Sequence, residues 1–104
     1  MKTVEPRDLK RRLDAGEPIV LIDVREEKER ALCHIGGTLI PLAQVLERKN
    51  EIPEQGEVVI YCRSGGRSGR AIEALEQIGY SNLTNLSGGI LAWSDQVDPS
   101  VQKY

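Results

Sequence analysis

Apolar residues along the chain fall into short continuous blocks, separated by polar stretches with helical spacing. Ile19-Val20-Leu21-Ile22 is an aliphatic run of the kind found in a strand buried on both faces, and it gives way to Asp23-Val24-Arg25-Glu26. Val58-Val59-Ile60-Tyr61 is the clearest strand. Thr38-Leu39-Ile40, stopped by Pro41, predicts a second short one, and Asn82 to Leu86 a weaker one. Helical spacing fills the intervals. Pro6 at a first turn, with Leu9, Leu13 and a closing Gly16, predicts a helix over residues 6–15, after which Pro18 breaks the chain. The charged stretch from Glu26 to Leu32 predicts a short helix ended by Gly36-Gly37. Residues 42–49 predict another, with Leu42, Val45 and Leu46 on one face. Ser68 to Ile78 places Ala71, Ile72, Leu75 and Ile78 on one face before Gly79, and Ile90 to Val97 forms a last helix carrying Trp93. Strands alternating with helices imply an α/β fold of three layers, a small and mostly parallel sheet with helices on both faces. Ligands of such sheets sit outside the carboxyl ends of the strands, so the strand ending at Tyr61 delivers Cys62 to that edge.

Composition narrows the function classes. The 104 residues suit one domain, residues 1–104, with one aliphatic core. Fourteen Lys and Arg against sixteen Asp and Glu give a net charge of −2, which speaks against a nucleic-acid or acidic-membrane binder. No apolar run approaches the roughly 20 residues that span a bilayer. The first residues have no apolar segment typical of a signal peptide, so a cytoplasmic location is expected. Cys33 and Cys62 are too few for a disulfide scaffold and show no metal-ligand spacing. His34 is the only histidine, which excludes a multi-histidine metal site; no metal and no cofactor are expected.

The segment between the Val58–Tyr61 strand and the following helix carries the chemistry. Cys62-Arg63-Ser64-Gly65-Gly66-Arg67-Ser68 combines a cysteine, two glycines and two arginines. Gly65 and Gly66 permit positive φ, so successive backbone amides can turn inward into an anion-binding nest. The next helix aims its N-terminus at the same spot. Arg63 and Arg67 bring fixed positive charge, although the sequence leaves open which side chain points in. A cysteine in that field has a depressed pKa and needs no histidine base. The alternative is an ordinary buried free cysteine at a strand end, which the strand–Cys–Gly–Arg–helix context disfavours.

At these residues the chain resembles a rhodanese (sulfurtransferase) domain over essentially its whole length. Leu21-Ile22-Asp23-Val24-Arg25-Glu26 with Glu29 resembles the first family signature. His34-Ile35-Gly36-Gly37 resembles the His-Ile-Pro-Gly turn, with Gly36 in place of proline. The Cys62–Ser68 loop matches the active-site loop, and Leu86-Ser87-Gly88-Gly89 with Ala92-Trp93 the closing signature. Leu39-Ile40-Pro41-Leu42 and the tail from Ala92 through Lys103-Tyr104 are similar to rhodanese domains fused behind E1-like adenylating enzymes, which supply sulfur to ubiquitin-like carriers in molybdopterin, thiamine or tRNA-thiolation pathways.

The resemblance implies a sulfurtransferase with Cys62 as the catalytic nucleophile and Arg63, Ser64, Gly65, Gly66, Arg67 and Ser68 as the substrate-binding loop. Thiosulfate or a persulfide is the implied donor, and an E1-like enzyme or a ubiquitin-like carrier an implied protein partner. A cysteine phosphatase or arsenate reductase of related fold is the competing enzyme class. Those phosphatases place five residues between Cys and Arg, whereas four separate Cys62 from Arg67, which favours sulfur. A non-catalytic docking module of the same fold is a third reading, and Cys62 in an intact loop argues against it.

Other residues have a structural reading beside a functional one. Asp23 and Arg25 lie on the loop's edge of the sheet. A brace, with Arg25 pairing Glu29 one turn on, is favoured over substrate binding. His34 and Cys33 lie beyond a helix of about seven residues that runs some 10 Å back across the sheet, so His34 reads as a turn stabiliser rather than a base. Cys33 reads as too distant for a disulfide with Cys62, which requires Cα atoms within roughly 7 Å. Trp93 reads as a packing anchor, and the charges from Arg25 to Arg30 as a solvated helix face.

Overall fold

A computed structural model describes residues 1–104. Its strands are β1 (Lys2–Val4), β2 (Val20–Asp23), β3 (Thr38–Leu39), β4 (Val58–Tyr61) and β5 (Leu83–Leu86). Its helices are α1 (Pro6–Asp14), α2 (Glu27–Leu32), α3 (Gly66–Gln77) and α4 (Gly89–Gln96). The strands form one sheet in the order β1-β5-β4-β2-β3, and every pairing is parallel. Parallel neighbours must be joined by crossovers, so all five carboxyl ends open on one edge.

The central strands β4 and β5 are buried on both faces. By contrast, β2 is exposed at Val20 and half-buried at Leu21 before its buried end at Ile22 and Asp23, so the run at 19–22 is not the fully buried strand expected. Alternation along β4 sends Val58 and Ile60, and then Cys62, into a core with Ala71, Ile72 and Leu75 of α3. Val59 and Tyr61 point the other way, against Leu9 of α1 and Ile90 and Trp93 of α4. All four β4 residues are fully buried, which is why the run reads as continuously apolar. The expected three-layer architecture is present, and Trp93 is the packing anchor predicted for the last helix.

Three elements depart from the sequence pattern. β1 was not predicted: three residues with one buried apolar side chain, Val4, give no periodic signal, and only the pairing with β5 defines them as a strand. The single helix predicted over residues 42–49 is instead two 3₁₀ turns, Leu42–Gln44 and Lys49–Glu51. One helix would have to bury Leu46, which is half exposed; the two turns deliver Val45 and Ile52 to the core separately. The helix after β2 ends at Leu32, well before Gly36-Gly37.

The charges from Arg25 to Arg30 are not simply a solvated face, because Arg25 and Glu29 are buried. Arg25 does act as a brace, but its carboxylate partner is Asp23 rather than Glu29. Nε donates to Asp23 Oδ1 at 2.9 Å and Nη2 to Oδ2 at 2.8 Å, a two-pronged pair with both side chains fully inaccessible. Nη2 also donates to the Cys33 carbonyl at 2.7 Å, which fixes the chain leaving α2. Arg30 continues the brace to the Gly37 carbonyl at 2.7 Å. Asp23→Asn leaves the buried Arg25 guanidinium without its counter-charge. The expected cost is about 3–5 kcal/mol, read as a lower urea midpoint at unchanged slope. A midpoint equal to the wild type's overturns the brace.

Candidate active site

Cys62 follows the last residue of β4 and is 1% exposed, in continuity with the α3-side core. The chain must then turn within a few residues to start a helix directly over the sulfur. Gly65 makes that turn with φ +108°, in the left-handed region where side chains are strained. Gly66 does not share this conformation. It is already the first residue of α3, two residues earlier than the sequence pattern indicates, so Arg67 and Ser68 belong to the helix's first turn.

The nest forms around the sulfur. The Gly65 amide donates to Cys62 Sγ at 3.1 Å and the Ser68 amide at 3.4 Å, and the Ser68 hydroxyl lies 3.4 Å away. Burial pushes the Cys62 thiol up, but donation from the Ser68 hydroxyl and from the amides of Ser68, Gly65 and Ser64 outweighs it, leaving the pKa below the ordinary cysteine value. Ser68 Oγ has one proton and three acceptors within reach: Asn85 Oδ1 at 2.6 Å, the Gly65 carbonyl at 3.2 Å and Cys62 Sγ. A thiolate at Sγ is the strongest of these acceptors, so ionisation draws the hydroxyl toward sulfur. The amides of Gly66 and Arg67, at the open end of α3, have no acceptor within the protein and face outward from the helix's first turn.

The two loop arginines do not touch the sulfur. Arg67 forms a two-pronged pair with Glu29 of α2, Nη1 to Oε1 at 2.6 Å and Nη2 to Oε2 at 2.7 Å. Arg63 reaches the main-chain oxygen of Tyr104, with Nε at 2.7 Å, and stacks on the Tyr104 ring at 5.3 Å. Fixed charge therefore braces the loop, while peptide dipoles and a hydroxyl stabilise the thiolate.

Several supporting residues were invisible to sequence reasoning. Asn85 of β5 accepts from Ser68 and donates to the Gly65 carbonyl at 3.1 Å, holding both sides of the loop. The start of α4 docks on the loop's first two residues, with Ile90 N donating to the Cys62 carbonyl at 3.0 Å and Leu91 N to the Arg63 carbonyl at 3.1 Å. A side chain at Gly89 would come within 2.6 Å of the Cys62 carbonyl oxygen, which explains the Gly88-Gly89 pair as a close approach of two backbones. The pair itself was the available signal. Tyr104 donates to Glu29 Oε2 at 2.6 Å and accepts from Arg25 Nη1 at 3.1 Å, joining the two carboxylate–guanidinium pairs. No spacing rule reaches across that separation.

His34 behaves as expected, its Nδ1 accepting from the Gly36 amide at 3.0 Å. Cys33 packs with the Val59 and Tyr61 face of the sheet, opposite the core that holds Cys62, and both thiols are free. No group of ligating side chains that could hold a metal is present. The concave cleft of about 440 Å³ is lined by Glu26, Glu27, Leu39, Pro41, Gln44 and Arg48, and includes no residue of the cysteine loop.

A profile of the rhodanese-like domain matches residues 5–96, nearly the whole chain. The chain belongs to the rhodanese-like domain family. Among curated rhodanese relatives, it is 37% identical over 105 residues to the probable adenylyltransferase/sulfurtransferase MoeZ of Mycobacterium tuberculosis, covering 98% of this chain but 27% of that protein. The chain thus spans about a quarter of that relative's length. It is 41% identical over 92 residues to a sulfurtransferase of Allochromatium vinosum, covering 88% of this chain and 86% of that one. The crystal structure of a rhodanese-like domain protein from Staphylococcus aureus superposes with a TM-score of 0.85 at 30% identity, over all of this chain and 99% of the other. These likenesses carry sulfur-transfer activity at the level of the rhodanese family.

The rhodanese site makes two predictions. The rate of Cys62 alkylation by iodoacetamide rises with pH along a midpoint below that of an ordinary cysteine, and Ser68→Ala moves the midpoint upward because a donor to the thiolate is lost. A midpoint unmoved by Ser68→Ala contradicts the hydroxyl's role. Separately, hydrogen bonds from Arg67 hold the Glu29 carboxyl down to about 2, from 4.5 in the unfolded chain. A depressed carboxyl stabilises the fold fully above pH 4.5 and loses that contribution as the pH falls toward 2. Glu29→Gln should therefore lower stability at pH 7 and flatten its decline across that acid window in urea titrations; an unchanged slope refutes the tie.

Proposed function

We propose that the protein is a sulfurtransferase that carries sulfane sulfur as a persulfide on Cys62. The observation that carries this reading is the set of donors from the Gly65 and Ser68 amides and the Ser68 hydroxyl directed at one buried sulfur, beside the unpaired amides of Gly66 and Arg67. The first set stabilises the attacking thiolate. The second lies where an outer sulfur on Cys62 would seek donors. A histidine base is unnecessary where the surrounding donors lower the thiol's pKa and favour its thiolate.

The chemistry runs in two half-reactions. Cys62 Sγ⁻ attacks the outer sulfur of the donor; a new S–S bond forms at Sγ as the donor's own S–S bond breaks. With thiosulfate the leaving group is sulfite, which takes the bond's electron pair, so three negative charges stand on each side. With a thiol persulfide the leaving group is the thiolate. An acceptor nucleophile then attacks the terminal sulfur of Cys62–S–S⁻ and restores the thiolate; cyanide leaves as thiocyanate. Splitting the transfer imposes ping-pong order, and the fixed amides need little reorganisation between thiolate and persulfide.

The likeness to an adenylyltransferase/sulfurtransferase supports protein partners as well as small ones. An E1-like adenylating enzyme with its ubiquitin-like carrier fits the acceptor side by a different route. The terminal sulfur of Cys62–S–S⁻ attacks the carrier's acyl-adenylate carbon and AMP leaves. A second thiolate then attacks Cys62 Sγ of the acyl disulfide and expels the carrier thiocarboxylate, and a further thiol frees the Cys62 thiolate from the mixed disulfide. Carrying sulfur on a thiolate requires a reduced cysteine, and we place the reaction in the cytoplasm, which maintains thiols in that state.

Thiosulfate or cysteine persulfide should add the mass of one sulfur to the intact protein, mapped to Cys62 and removed by cyanide. Cys62→Ser should gain nothing. A wild-type protein that never gains the sulfur, with either donor, refutes the proposal.

A further inference from the structure

The chain beyond α4 folds back onto the cysteine loop. Ser94 Oγ donates to the Val101 main-chain oxygen at 2.7 Å, and Lys103 pairs with Asp95, so the segment is tied to α4 before it reaches Tyr104. The Tyr104 ring lies between two guanidinium groups, 5.3 Å from Arg63 and 5.8 Å from Arg25. Its hydroxyl is anchored at both Glu29 and Arg25. Its main-chain oxygen accepts from Nε and Nη2 of Arg63.

This arrangement leaves the loop with no free cation. Arg67 is paired with Glu29, and Arg63 is held by the main-chain oxygen and the ring of Tyr104. A small dianion such as thiosulfate approaches a sulfur that is itself anionic. It needs a guanidinium to offset that repulsion, and it must first displace Arg63 from Tyr104. A thiol persulfide carries less charge to the same bowl and has no sulfonate to place.

We infer that Tyr104 is a specificity-determining residue, a cap on Arg63 that disfavours small dianionic sulfur donors relative to thiol persulfides. This rests on the sulfur-transfer reading above and adds to it the donor class. Tyr104 touches neither Cys62 nor the transferred sulfur in this arrangement; it acts through Arg63.

Ping-pong order supplies the test, because kcat/KM for the donor reports the first half-reaction alone and kcat/KM for cyanide the second. Tyr104→Ala removes the ring that stacks on Arg63 and the hydroxyl anchors that hold the Tyr104 main-chain oxygen against it, and should raise kcat/KM for thiosulfate roughly fivefold, the scale of one cation–π contact, chiefly through a lower KM. The values for cysteine persulfide and for cyanide should stay within twofold. In an Arg63→Gln background the gain from Tyr104→Ala should vanish. A merely structural role predicts parallel losses in both half-reactions, and that result overturns the cap, as does a thiosulfate gain that persists without Arg63. Should Tyr104→Ala fail to fold, Tyr104→Phe keeps the ring and loses only the hydroxyl anchors. A smaller gain confined to thiosulfate then supports the cap, and no gain overturns it. Persulfide formation with unaltered thiosulfate constants removes the cap alone, whereas no persulfide from either donor removes the sulfur-transfer reading with it.

Discussion

The proposed sulfur transfer requires a thiolate at Cys62, and that charge has to be stabilised where water is almost absent. The sulfur is 1% exposed and shares its surroundings with Ile22, Val24, Ile60 and Ala71, and burial among such side chains favours the neutral thiol. Donated hydrogen bonds reverse that preference, and they come from main-chain amides that have nothing else to do. The first amides of any helix lack partners within the helix, and here α3 begins directly over the sulfur. The thiolate and the helix terminus thus satisfy each other, which ties the ionisation of the cysteine to the folding of the helix. Everything else at the carboxyl edge of the sheet serves to hold those two groups in register.

Three independent supports converge on that register. β4 fixes the cysteine by parallel pairing on both sides, with β2 and β5. Asn85 on β5 grips the Gly65 carbonyl and Ser68 together, so the turn cannot open without losing buried polar contacts. The start of α4 takes the carbonyls of Cys62 and Arg63, which point away from the sulfur as its amide neighbours point toward it. Gly88 and Gly89 make that last contact sterically feasible. Two of the supports are main-chain contacts, and the third rests on two short side chains, Asn85 and Ser68, that are buried.

Much of this was legible in the residues. The β-branched and aliphatic runs at 19–22 and 58–61 marked two central strands, the second because burial on both faces leaves no alternation, the first by composition although Val20 is exposed. The loop declared itself through the joint occurrence of Cys62, Gly65 and Arg67 between a strand and a helix. What stayed hidden was long-range. Arg25 found its carboxylate two residues back at Asp23 rather than one helical turn ahead, since the backbone kinks between β2 and α2 before a helical neighbour exists. Glu29 was thereby left for Arg67, thirty-eight positions on. β1 is defined by a partner at the far end of the chain, and the 42–49 segment by how much core remains to be filled. None of these has a local periodicity.

The arginines of the loop illustrate why geometry has to arbitrate between two uses of one residue type. Two cations beside a reactive cysteine invite the view that they ionise it by proximity. The structure distributes charge differently: Asp23, Arg25, Tyr104, Glu29 and Arg67 form a chain in which acid and base alternate through a phenol, and Arg30 closes it at Asp23. The charges of this chain largely offset one another, and Asp23, Arg25, Tyr104 and Glu29 are each bonded on two sides, which makes the chain rigid. Peptide dipoles at 3.1 to 3.4 Å do the electrostatic stabilisation instead. Division of labour follows from distance: a full charge some residues away stiffens the bowl, and partial charges in contact set the chemistry of what it holds.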